Sequence, residues 1–240
     1  MNILITGGAS GLGEAITRVL AKDKNNTVYF TYNRSNTRAF EIQEDLKNTI
    51  PIKCNFKDSK ELLFLIEKIK EIDLDTLINN VYSGDYLKTH FHKIKPQDFL
   101  NDFENSIIPT IKITQTALKQ FRKKKNGKII TVLTSALINT PPVGSSVYVA
   151  NKAYLERLTK VWASENIKFN ITSNSISPSL MQTNLTANVD ERLVEQIINN
   201  HPLRKILTVN EVADTVDFLV NTSSQINGVD IIMNAGINIK

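Results

Sequence analysis

A single cysteine, Cys54, serves a chain of 240 residues, so no internal disulfide can form and a reducing compartment fits. No apolar stretch approaches the ~20 residues needed to span a bilayer. The start of the chain lacks a basic leader and a cleavage site; its first apolar run leads straight into a glycine turn. The expectation is a cytoplasmic protein that does not enter the membrane. Charge of one sign is scarce too. A net charge of +5 allows acidic or phosphate-bearing partners but falls short of a nucleic-acid binder. The densest basic run, Arg122 to Lys125, reads as the solvated end of a helix, where cations suit the dipole, ahead of any nucleic-acid or membrane surface. His90 and His92 have no third ligand in view, so they read as surface loop and no metal is expected. With 41% hydrophobic and 22% charged residues, disorder is excluded. No repeat or linker interrupts the chain, which reads as one domain over 1–240.

What is present starts at the first residues. Asn2-Ile-Leu-Ile5 is a short buried strand. Thr6-Gly7-Gly8-Ala9-Ser10-Gly11-Leu12-Gly13 follows, and then a helix from Glu14 to Leu20, with Leu12, Ile16, Val19 and Leu20 on one face. Strand, glycine turn and helix suggest a dinucleotide site. The glycines let the backbone approach a pyrophosphate, and the free N–H groups of the helix start face its charge. Further strands are read at Thr27–Tyr32, Ile50–Cys54, Leu74–Ile78, Lys128–Leu133, near Asn170–Ile176 and at Val229–Met233. Helices are read from about Ser35 to Asn48, after an Asp58 cap to about Glu71 with Leu62, Leu65, Ile66 and Ile69 inward, over Gln97–Lys125 with an interruption near Pro109, from Tyr148 to about Asn166, and over Asn210–Val220. Seven strands alternating with helices at this pace define an α/β fold with a doubly wound parallel sheet. Ligands of such sheets sit beyond the C-terminal strand ends, which puts Gly7 to Gly13, Asn33 to Ser35, Asn55-Phe56 and Asn79-Asn80 along one rim. Segments 82–96 and 180–200 read as substrate loops, the second as a lid.

The second strand ends in Asn33-Arg34-Ser35 with no acid to accept from an adenosine ribose. Arg34 suits a 2′-phosphate instead, which favours NADP(H) over NAD(H). Tyr148 and Lys152 are four apart and share a helix face. A phenol titrates near 10; a nearby ammonium and a helix N-terminus lower that value and fit Tyr148 for acid–base work. A serine hydroxyl at Ser135 can hold a substrate carbonyl oxygen. The chemistry implied is hydride transfer between a nicotinamide and a carbonyl carbon or secondary alcohol.

Taken together, Thr6-Gly7-x-x-x-Gly11-x-Gly13, Asn79-Asn80, Ser135, Tyr148-x-x-x-Lys152 and Asn174-x-x-x-Pro178 followed by Thr183 resemble the short-chain dehydrogenase/reductase family over the whole chain. The resemblance implies a Rossmann-type fold. It implies cofactor contacts from Gly7, Ala9, Ser10, Gly11, Leu12 and Gly13; from Asn33, Arg34 and Ser35; and from Asn55 and Phe56 at the adenine. It adds Asn79 and Asn80, Pro178, the Leu180 backbone and the Thr183 hydroxyl at the carboxamide, and Tyr148 with Lys152, the lysine also holding the nicotinamide ribose. Catalytic roles are implied for Ser135, Tyr148 and Lys152, and for Asn105, which in the family links the lysine through water to a proton relay. Length and short C-terminus are most similar to the 3-oxoacyl-carrier-protein reductase branch. That implies a keto substrate, carrier-protein-linked in that branch, and a homodimer or homotetramer. Three departures stand out. Val81-Tyr82 replaces a small pair and adds bulk beside the cofactor, Ser179 replaces a glycine, and Ala235-Gly236 replaces a glycine pair. These departures motivate the alternative of a non-catalytic NAD(P)-binding sensor or an inactive partner in a hetero-oligomer.

Overall fold

The computed structural model describes residues 1–86, 89–187 and 189–237. Leu87, Lys88 and Asn188, which fall in the two segments expected to shape the substrate site, and the last three residues lie outside the described residues. Seven parallel strands form one sheet: β1 (Asn2–Ile5), β2 (Thr27–Tyr32), β3 (Thr49–Lys53), β4 (Thr76–Asn79), β5 (Gly127–Val132), β6 (Ile171–Pro178) and β7 (Asp230–Met233). Their spatial order is β3-β2-β1-β4-β5-β6-β7. The order reverses between β1 and β4, the switch point where such sheets open a crevice for a ligand.

The strands are buried on both sides, so they read as apolar runs rather than as alternating ones. Side chains of β1 still alternate in direction. Ile3 and Ile5 join a core under α1 (Gly11–Leu20) and α8 (Val209–Asn221), whereas Leu4 joins the opposite core. The first core takes Leu12, Ile16 and Leu20 of α1 and Val212, Val216 and Leu219 of α8, with Val19 half-buried against it. It also takes Ala39 and Ile42 of α2 (Asn36–Asp45). The second core takes Leu62, Leu65 and Ile69 of α3 (Ser59–Glu71), with Ile66 half-buried against it, and Ile113, Ala117 and Phe121 of α5 (Ile108–Lys124). Trp162 of α6 (Ser146–Asn166) completes it. Asp58 caps α3 by accepting from the backbone N–H groups of Lys60 and Glu61, as its sequence pattern requires.

Two helical expectations need correction. The region 97–125 is not one helix broken at Pro109. It is α4 (Pro96–Asp102), a wider five-residue π turn over Phe103–Ile107, and then α5, with Pro109 in its first turn. Proline has no N–H to give and crowds the carbonyl four residues back. The α-helical bond onto Asn105 is therefore unmade, and the chain widens before the proline rather than at it. The segment 180–200 is likewise not loop throughout. Asp190 caps α7 (Glu191–Asn200) by accepting from the Arg192 N–H at 2.8 Å, and Leu193, Val194, Ile197 and Ile198 are half-buried along it. That spacing is helical; the polar residues between these four conceal it.

The basic run closes α5 as expected. Arg122 donates to Asn166 Oδ1 at 2.6 Å and lies over the Phe169 ring, and Lys124 pairs with Asp73 and Asp75. Two of its four cations are thus occupied within the molecule. Ser179 keeps an ordinary backbone angle, whereas Ala235 adopts a left-handed one with φ +54°. Of the two glycine replacements, only the alanine occupies a conformation that favours glycine.

Candidate active site

The turn after β1 is held from three sides. Thr6 Oγ1 donates to the Ile78 carbonyl and accepts from the N–H groups of Asn80 and Val81. The Asn80 amide donates to the Thr6 and Gly7 carbonyls, and the Gly7 N–H reaches Thr31 Oγ1 at 2.8 Å. Gly7 is left-handed at φ +70°, and a Cβ on Gly13 would lie 1.9 Å from the Gly7 carbonyl oxygen. The turn therefore excludes side chains at both positions. α1 starts at Gly11, earlier than the sequence reading, so its first N–H groups belong to the turn itself. Ser10, at the helix cap, makes no side-chain capping bond.

Over this turn opens a cavity of about 710 Å³. Of the expected cofactor residues, Gly7, Ser10, Gly11, Leu12, Gly13 and Asn80 line it. So do Tyr148, Lys152, Pro178, Leu180 and Thr183. Thr183 comes over the turn, its Cβ 3.5 Å from where a Gly11 Cβ would stand. The other expected residues do not line the cavity. Ala9 is packed into the first core and Phe56 into the second. Asn79 turns its amide to Thr114 Oγ1 on α5 at 3.0 Å, so its side chain ties sheet to helix. Asn33 and Arg34 are exposed beyond β2, Ser35 begins α2, and the Asn55 N–H is taken by Glu61 at 2.6 Å. Among the described residues Arg34 has no ion-pair partner, whereas nearby Arg38 is held by Glu14 and Glu41.

Ser135, from the 3-10 turn after β5, lines the same cavity as Tyr148 and Lys152. Asn105 does not: it is half-buried on the π turn. Lys152 is 3% exposed and its Nζ donates to the Val132 carbonyl at 2.7 Å. Burial brings its ammonium down to about 8. The Tyr148 phenol moves the other way. Burial pushes it above its ordinary value, and the Thr134 hydroxyl only partly offsets this. The expectation that Lys152 lowers the phenol is thus corrected. The cost of charging a phenol away from water outweighs the help of neighbours, and Lys152 lies 5.8 Å from the ring centroid with its proton committed to a carbonyl.

Tyr82 was read only as added bulk, yet it builds a polar network. Its hydroxyl donates to Asp102 at the end of α4, which also accepts from Asn151 Nδ2 at 2.8 Å. The Tyr82 ring meets Tyr148 edge-on at 4.9 Å and lies 5.5 Å from Lys152 Nζ; Tyr86 packs edge-on against Tyr148 at 5.0 Å. Asp102 and Asn151 went unremarked in the sequence, although a buried acid on a helix beside a chemistry-bearing segment needs partners. Tyr82→Phe leaves the buried Asp102 with one of its two side-chain donors. It should lower stability by about 1.5–3 kcal/mol, read as a lower urea midpoint with an unchanged denaturant slope.

Glycines that admit no side chain, unbonded helix-start N–H groups and a buried Tyr–Lys pair with a serine on one cavity define a nicotinamide-dinucleotide oxidoreductase of Rossmann type. A family profile described as enoyl-(acyl carrier protein) reductase matches residues 7–238. The 3-oxoacyl-acyl-carrier-protein reductase FabG of Staphylococcus aureus is 28% identical over 241 aligned positions, covering 98% of this chain and 96% of that protein. A solved short-chain dehydrogenase/reductase family protein superposes with a TM-score of 0.85 at 27% identity, covering 98% and 96% of the two chains. ElxO with NADP bound gives 0.86 at 25%, covering 98% and 97%. The chain belongs to the short-chain dehydrogenase/reductase family.

Proposed function

We propose that this protein reduces a ketone, a 3-oxoacyl thioester or related keto compound, with NADPH, and that Tyr148 delivers the proton. The observation that carries the reading is the meeting of Ser135, Tyr148, Lys152 and the glycine turn on one cavity. The turn at Gly7–Gly13, Asn80, Lys152, Pro178, Leu180 and Thr183 would hold the cofactor, which supplies a hydride to the carbonyl carbon when bound. Ser135 holds the carbonyl oxygen by a hydrogen bond. Tyr148 gives its proton to that oxygen as the oxygen gains charge, and the oxygen becomes the product hydroxyl. A phenol held above its ordinary value by burial is fully protonated at neutral pH, the form that reduction needs. The phenolate left behind is stabilised by the Lys152 ammonium and reprotonated from solvent. Asn105, on its π turn, is assigned to that return path through water.

Arg34, exposed and unpaired among the described residues, supports a preference for NADPH over NADH through its 2′-phosphate. ElxO with NADP bound is in line with that preference. Similarity to FabG supports a substrate carried by an acyl carrier protein, the exposed Lys123 and Lys125 adding positive charge for an acidic partner. A cytoplasmic homodimer or homotetramer completes the reading, with 82–96 and 180–200 shaping the substrate site.

Incubating the protein with NADPH and a panel of β-keto thioesters, diketones and sugars tests it by loss of nicotinamide absorbance. No turnover with any of them, despite tight NADPH binding, counts against the reading. The pH profile adds a sharper check. Lys152 is charged below about 8 and loses its proton above it. The kcat/KM for reduction should be level from neutrality to about 8 and then fall about tenfold per pH unit. A limb that begins near 10 instead removes Lys152 from the mechanism.

A further inference from the structure

Four residues after Ser135, a chain of amides runs from the end of β7 to the serine hydroxyl. Asn234, 5% exposed, accepts the Gly236 N–H on Oδ1 at 3.0 Å and donates from Nδ2 to the Ile237 carbonyl at 2.8 Å. A backbone N–H can meet only an acceptor and a carbonyl only a donor, so both contacts fix the same orientation of the Asn234 amide. Its Nδ2 also donates to Asn139 Oδ1 at 3.1 Å. That fixes Asn139 in turn, whose Nδ2 faces Ser135 Oγ at 3.4 Å. The Asn139 backbone is pinned to the same residue by its N–H on the Ser135 carbonyl at 2.8 Å. Asn139 lines the cavity beside Ser135.

We infer that Asn139 and Asn234 are positioning residues that make Ser135 a hydrogen-bond donor to the substrate. A hydroxyl that accepts from Asn139 has its proton left to give, and among the described residues it has no acceptor for that proton. The inference deepens the reading above and rests on it, since it needs Ser135 to hold the substrate oxygen. The ketone oxygen gains negative charge as hydride arrives, so it needs donors and is repelled by lone pairs. A free hydroxyl turns either way; one that already faces an amide N–H pays no reorientation during the reaction. The source of this polarity is a backbone N–H in the turn after β7.

Asn139→Asp tests it. The substitution keeps size and the acceptor for Asn234 but replaces the donor to Ser135 by an oxygen, so the serine turns its proton away from the cavity. We expect kcat to fall about tenfold or more, with NADPH affinity and melting temperature near those of the parent. Asn139→Ala, which removes the donor without reversing it, should lose less. In a Ser135→Ala background Asn139→Asp should change kcat by less than about twofold. Equal losses from Asn139→Asp in both backgrounds, or a larger loss from Asn139→Ala, overturn the inference while leaving the role of Ser135 intact. An unchanged kcat in Ser135→Ala alone removes that role and this inference with it. Should Asn139→Asp fold poorly, Asn234→Asp presents an oxygen to Asn139 Oδ1 from one step away. It should then lower kcat in the parent and not in Ser135→Ala; loss in both, or in neither, has the same meaning as above.

Discussion

Tyr148→Phe is expected to lower kcat for carbonyl reduction by about 10²–10⁴-fold, the usual range for losing a positioned general acid. The substitution removes one oxygen and no ring. The edge-on contacts of Tyr148 with Tyr82 and Tyr86 and its burial at 6% exposure therefore survive, and NADPH should bind within a few-fold of the parent. Stability should not fall, because burial already disfavours the ionised phenol and the residue's contribution to packing is the ring. The measurement is single-turnover reduction under saturating NADPH, with cofactor affinity from fluorescence titration. Equal turnover in the variant would falsify the acid role. Parallel loss of affinity and turnover would instead place Tyr148 in cofactor binding alone.

Gly13→Ala should act on the other half of the site. A methyl group there would lie 1.9 Å from the Gly7 carbonyl oxygen and 2.8 Å from Asn80 Nδ2, far inside contact distance. Backbone blocks it on one side, so it cannot be relieved by a side-chain rotation. The turn must open, and the Asn80 amide bonds to Thr6 and Gly7 must lengthen or break. NADPH affinity should drop by about 100-fold or more, since about 2–3 kcal/mol of strain and lost bonding falls on the segment that faces the pyrophosphate. The remaining fold stands on two cores away from the turn, so far-UV circular dichroism should stay native. An affinity within threefold of the parent would show that the turn is not the cofactor's seat.

The strands and the glycine turn were legible because each is written in contiguous residues. Buried parallel strands are apolar runs, and a tight turn needs glycine within a few positions. The Tyr148–Lys152 pair was legible for the same reason, as a helix brings positions four apart together. α7 was obscured because its half-buried stripe at Leu193, Val194, Ile197 and Ile198 is interleaved with polar residues. The exact break before α5 was missed because proline acts on the carbonyl four residues earlier. Asp102 and Asn151, and likewise Asn139 and Asn234, are ordinary polar residues in the sequence. Only their approach across elements far apart in the chain makes each pair a network.

Local patterning by itself determined the alternation of strands and helices, the glycine turn and the order of the chemistry-bearing residues, because steric and helical periodicities are short-range. Tertiary structure alone decided which expected cofactor residues face the cavity and which are spent on the core, as with Asn79 and Phe56. It also decided the titration of the site. Solvent exclusion depends on everything packed around a group, so burial raised the Tyr148 phenol and lowered Lys152 against the expectation drawn from their spacing.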